Sequence, residues 1–214
     1  MDNDDARPVA LRRARKVLGK RMNDDDAMEL AYHEAAHAVI GLQGQLPLTV
    51  VYVNPEGRGA MWHRHGPGEL GASYQKVGNK CQWFDWTGVD AFGNTVKRVV
   101  LTAEQLHAHV RCNLAGGIAE AILRDEPDEW KKFASSGDMK NARHNRKKLG
   151  TNAKSWEQYT DETCVLVRKY WAMIEAVAKA LKEKGYLHAQ QVESICNRLA
   201  RRQHVKDMLS ADNT

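Results

Sequence analysis

The sequence has no CxxC pair among its four cysteines, Cys81, Cys112, Cys164 and Cys196. Scattered thiols of this kind exclude a structural zinc knuckle and a disulfide frame, and they fit a reducing compartment. No apolar run approaches the ~18 residues that a membrane span needs. The opening MDNDDARPVA is acidic and then basic, without the apolar stretch of a secretory signal. The expectation is therefore a cytoplasmic protein with no membrane partner. No G-x-x-x-x-G-K-[ST] occurs in the chain, which excludes ATP binding by a P-loop. Internal repeats and low-complexity tracts are also missing.

What is present is an ordinary globular composition. The 214 residues are 43% hydrophobic and 28% charged, enough for one domain with its own core and unlike a disordered chain. The net charge of +5 comes from 32 basic against 27 acidic residues, and the basic ones gather at 12–21, 143–148 and 198–206. So small an excess does not by itself point to a nucleic-acid partner.

Periodicity divides the chain. Residues 9–21 carry Leu11, Ala14, Val17 and Leu18 at helical spacing among six basic residues, predicting a basic N-terminal helix within 1–22. A main domain over 23–205 follows, then a flexible tail over 206–214. Asp26 and Glu29 resemble a capping box, and the helix after them is expected to stop near Gly41 or Gly44. Val50, Val51, Tyr52 and Val53 predict a strand and Asn54-Pro55-Glu56-Gly57 a turn. Gly59, Ala60, Met61 and Trp62 predict a returning edge strand. Residues 63–95 form a long, partly irregular insert. Thr102 and Gln105 form a capping box for a helix carrying Leu106, Val110, Leu114, Ile118 and Ile122. A loop over 125–137 precedes a helix from about Asp138. Ser155 and Gln158 start a single helix that runs to Gly185, and a last helix carries Val192, Ile195, Cys196 and Leu199. The fold class is mainly α (α+β), a helical bundle with a short β-hairpin.

One motif carries chemistry. His33-Glu34-Ala35-Ala36-His37 is HExxH, in a helix whose other residues are apolar or small. Positions i and i+4 lie about 40° apart, so both imidazoles leave one face and can share a Zn²⁺. Glu34 can reach a zinc-bound water without binding the metal, the general-base position of metalloproteases. With 9 histidines and 13 glutamates in the chain, chance supplies only about 0.02 such matches. Three polar groups in a helix apolar on every side also need a reason to be there. A catalytic zinc requires a third protein ligand. The extended HExxHxxGxxH pattern fails, since Ile40 and Gln43 stand at the required glycine and histidine. Glu56, His63 and His65 remain as candidates.

Several segments, in order over about residues 27–197, resemble the FtsH-type zinc metalloprotease domain. HEAAHAVIGL is similar to its metal-binding helix and VVYVNPEGRGAMW to the strand–turn–strand after it. LTAEQLHAHVRCNLAGGIAEAIL is similar to its Gly-Gly helix, SSGDMKNAR to the segment bearing its third ligand, and AVAKALKEKGYLHAQQVESI to its closing helices. The resemblance implies zinc held by His33, His37 and Asp138, with Glu34 as the base and Glu120 orienting a ligand from behind. It also implies that an edge strand at Gly59, Ala60, Met61 and Trp62 pairs with substrate backbone. The implied activity is a metalloendopeptidase acting on unfolded or flexible polypeptides. Members normally carry a membrane anchor and an AAA+ ATPase, and these 214 residues contain neither. Cleavage is therefore expected without ATP, with a separate unfoldase and self-assembly as open partners. The competing expectation is a catalytically silent binding or adaptor module of the same fold, nucleic-acid associated through its basic helices.

Overall fold

The computed structural model describes residues 24–46, 48–53, 59–63, 73–77, 80–84 and 101–211. The basic segment expected within 1–22, together with Glu56 and His65, lies outside them. Helix α1 (Asp24–Gln43) opens with Asp24, Asp25 and Asp26. Three acids in a first turn complement the positive end of the helix dipole. Asp26 is thus inside the helix, not its cap as the capping-box reading had it. Every residue from Ala31 to Gly41 is buried, as a helix without a polar face requires.

Antiparallel strands β1 (Leu48–Val53) and β2 (Gly59–His63) follow. Val51 pairs with Met61 and Tyr52 with Ala60. The sequence reading missed β5 (Tyr186–His188), which joins the other side of β1 and gives the order β2-β1-β5. Three residues are too few for a period-2 pattern to stand out. Among the described residues, strand β2 is therefore an edge of this sheet. A second hairpin, β3 (Ser73–Val77) with β4 (Lys80–Phe84), lies within the stretch expected to be partly irregular.

Helix α2 (Ala103–Leu123) starts at a reciprocal box between Thr102 and Gln105. The 125–137 stretch is not all loop. It holds a 3₁₀ turn (Pro127–Glu129) and a short helix α3 (Trp130–Phe133), anchored by the buried Trp130. Pro127 suits the first position of such a turn, where its missing N–H costs nothing. Helix α4 (Ser136–Leu149) is capped by Ser135 and begins two residues before Asp138.

The single helix expected after Ser155 is two, α5 (Trp156–Lys169) and α6 (Trp171–Lys184). Tyr170 leaves helical geometry (φ −101°, ψ 16°). The bend lets Trp171 stack on Tyr32 of α1, with ring centroids 5.3 Å apart. Gly185 ends α6 at φ +76°, a left-handed conformation that glycine adopts without penalty. Helix α7 (Ala189–Ala211) continues past residue 206, where the sequence placed the start of a tail.

The described residues are mainly helical, with seven α-helices. Helix α1 sits at the centre, packed against α2, α6 and β1. Val39, Val51, Leu114, Ile118, Tyr159, Ile174, Leu181 and Leu187 are fully buried in one core. Among the described residues no helix is long and apolar enough to cross a membrane. Among the described residues, Cys112, Cys164 and Cys196 form no disulfide.

Candidate metal centre

Helix periodicity puts His33 and His37 one turn apart on α1. Their rings meet edge to face with centroids 4.7 Å apart. Helix α2 crosses that face at Gly116. An ideal Cβ there would lie 2.5 Å from His33 Cδ2 and Nε2 and 2.6 Å from His37 Nε2. Only glycine leaves both rings this room. The next residue, Gly117, does the same for the chain ahead of α4, since its Cβ would lie 2.9 Å from the Ala134 backbone. The Gly-Gly step therefore brings α1, α2 and the start of α4 to one point.

Asp138 arrives at that point from α4. Its Oδ2 is 3.1 Å from His33 Nε2 and 3.3 Å from His37 Nε2. The three ligand atoms all lie within 4.8 Å of one another, in a group able to hold a metal ion. The far nitrogen of each ring is fixed by a neighbour. His37 Nδ1 donates to the carbonyl oxygen of Cys112 at 2.7 Å, and a carbonyl can only accept. His33 Nδ1 lies 3.3 Å from Glu120 Oε1. Each Nε2 is thereby left to face Asp138, the arrangement that metal-bound histidines usually show.

Glu34 is buried beside this group, and its Oε2 has no hydrogen-bond partner among the described residues. Burial pushes its carboxyl up to about 7, against the opposing pull of His33 and His37. Burial acts downward on His33, yet its contacts with Asp138 and Glu120 outweigh it and lift the ring to about 9. His37 is raised for a similar reason, its burial outweighed mainly by Asp138. Asp138 is pressed upward by burial but held well below the usual carboxylate range by the two imidazoles. The field at the convergence point favours positive charge.

The structure thus brings His33, Glu34, His37, Glu120 and Asp138 together. His63 stands at the end of β2, and its side chain, like Glu56 and His65, lies outside what the structure describes. Gly59, Ala60, Met61 and Trp62 lie on the edge strand β2. Sequence reasoning missed Cys112, whose contribution is a backbone carbonyl and so leaves no trace in residue type. It also missed Ser135, which caps α4 and whose Oγ donates to Asp138 Oδ2 at 2.7 Å. A serine three residues ahead of an acid at a helix start was the available signal. No protein-family model and no curated protein matches the chain.

Proposed function

We propose that this chain is a zinc-dependent metalloendopeptidase of the FtsH protease type, cutting unfolded or flexible polypeptides without ATP. The observation that carries the reading is the convergence of Asp138, 105 residues from His33, on the HExxH pair. Two imidazoles and a carboxylate are a donor set that zinc accepts with one position left for water or substrate. Ligands about 2.0–2.1 Å from a tetrahedral ion stand roughly 3.3 Å apart. The Asp138-to-histidine distances of 3.1 and 3.3 Å fit that spacing without rearrangement. The unpartnered Glu34 oxygen is a second sign, because burying such a group has a cost that a structural role does not return.

The chemistry that a bound Zn²⁺ supplies is polarisation of the scissile carbonyl and acidification of water. His33 and His37 present Nε2, and Glu120 and the Cys112 carbonyl hold the opposite ring nitrogens. Glu34 Oε2 accepts a proton from the attacking water. The water oxygen bonds to the carbonyl carbon, the C–N bond breaks, and Glu34 returns the proton to the leaving nitrogen. The edge strand β2 offers Gly59, Ala60, Met61 and Trp62 as a template to which extended substrate adds a strand. Cys112, Cys164 and Cys196, none of them in a disulfide, fit a cytoplasmic setting.

The test combines metal analysis with proteolysis. Elemental analysis after mild dialysis is expected to give about one zinc per chain. Asp138→Ala loses it and Glu56→Ala keeps it. Glu34→Gln keeps the zinc and abolishes cleavage of reduced casein. Metallated wild-type protein that cleaves nothing across a broad panel of denatured proteins replaces the peptidase reading with that of a silent binding module.

A further inference from the structure

The start of α4 does more than cap a helix. Ser135 Oγ accepts the N–H of Asp138 at 3.0 Å, the ordinary N-cap bond. The same oxygen donates its proton to Asp138 Oδ2 at 2.7 Å. A hydroxyl carries one proton and two lone pairs, so both bonds can form at once. Oδ2 is also the oxygen 3.1 Å from His33 Nε2 and 3.3 Å from His37 Nε2. One serine therefore touches the ligand residue at two atoms and ties its side chain to its own backbone.

We propose that Ser135 is a positioning residue of the metal site, holding Asp138 in the rotamer that turns Oδ2 onto the two imidazoles. The inference rests on the zinc reading above and adds to it a determinant of affinity. An aspartate free to rotate has to be ordered when metal binds, and it presents either oxygen. With Ser135 in place the ordering is done during folding. Of the two lone pairs on Oδ2, the hydroxyl proton takes one and the other faces the site. Oδ2 is the Asp138 oxygen that would be offered to a bound metal beside the two imidazoles.

Capping and proton donation separate by substitution. Ser135→Thr keeps both. Ser135→Gly lacks the hydroxyl, yet glycine caps nearly as well as serine, within a few tenths of a kcal/mol. Ser135→Ala loses both. The experiment measures Zn²⁺ affinity of the full chain by chelator competition, the absorption spectrum of the Co²⁺-loaded protein, and metal-free melting temperature. Wild type and Ser135→Thr are expected to bind alike. Ser135→Gly and Ser135→Ala bind Zn²⁺ about 10- to 100-fold more weakly, with a changed Co²⁺ spectrum. The Gly variant melts near wild type. Equal Zn²⁺ affinity in wild type and Ser135→Gly overturns the proposal, as does a loss that only tracks a lower melting temperature. Wild type that binds no Zn²⁺, or binds it as well after His37→Ala, brings down the zinc reading itself and this inference with it. That result is distinct from a wild type that binds while Ser135 proves indifferent.

Discussion

Gly116 of α2 lies so close to His33 of α1 that a single added carbon would stand 2.5 Å from its Nε2. Alanine is otherwise the better helix residue by about 0.8–1.0 kcal/mol. The sign of a Gly116→Ala change is set by the clash instead, since overpacking costs about 1–3 kcal/mol and the displaced atoms here are the ring nitrogens that face Asp138. Gly116→Ala is expected to lower zinc content at least tenfold while the protein stays folded by circular dichroism. Gly137→Ala is the control. Its Cβ would meet only Ser135 Oγ, at an ordinary 3.6 Å, so stability rises by up to ~1 kcal/mol and zinc is retained. Unchanged zinc in Gly116→Ala contradicts the close packing of the two helices.

Metal-free stability follows from the perturbed groups with a definite sign. Glu34 has a folded pKa of about 7, above its unfolded value. It binds more protons folded than unfolded, so its contribution is full at low pH and is lost as pH rises through about 7. His33, lifted to about 9, acts in the same sense, full below its unfolded pKa and lost as pH rises through about 9. The chelated protein should weaken steadily from pH 5 to pH 9. Glu34→Gln removes the first contribution. It should be more stable than wild type by roughly 2–3 kcal/mol at pH 8 and equal to it at pH 4, measured by urea unfolding with chelator present. A gain independent of pH means that Glu34 is not a buried carboxylate.

Two capping boxes are independent units. Thr102 with Gln105 and Ser155 with Gln158 each close reciprocal bonds between side chain and backbone. Thr102→Ala and Ser155→Ala should each cost about 1 kcal/mol in chemical denaturation. The boxes share no partner, so the double variant should show the sum within about 0.5 kcal/mol.

The thiols should be inert in the native state. Cys112 is buried and donates to the backbone oxygen of His37 at 3.3 Å. Burial, aided by Glu193, pushes the Cys196 thiol up to about 11. The thiolate is the reactive form. Iodoacetamide at pH 8, read by peptide mass mapping, should leave both unmodified until urea is added. Rapid native labelling of Cys196 contradicts the packing of α7.

Much of the fold was legible because it is local. The boxes at Thr102 and Ser155 announce helix starts through residues three apart, and Gly185 announces a stop. The break at Tyr170 was not legible, since the apolar stripe from Tyr159 to Leu181 runs through it without a change of period. It follows from Trp171 finding Tyr32 on another helix. β5 was hidden for the same reason, its partner being a strand more than 130 residues earlier.

The sequence by itself determined that His33 and His37 share one face of a helix with Glu34 beside them. That is a consequence of 3.6 residues per turn and needs no partner element. Spacing alone left Glu56, His63 and His65 open as third ligand, and Asp138 was expected only from the resemblance to the FtsH-type domain. Tertiary structure brings Asp138 to the pair, because the distance between α1 and α4 depends on how closely α2 lets both approach. Gly116 and Gly117 set that approach, and Ser135 turns the Asp138 oxygen inward. The Cys112 carbonyl fixes the His37 ring, and a backbone atom is supplied by position in the packing, whatever the residue type.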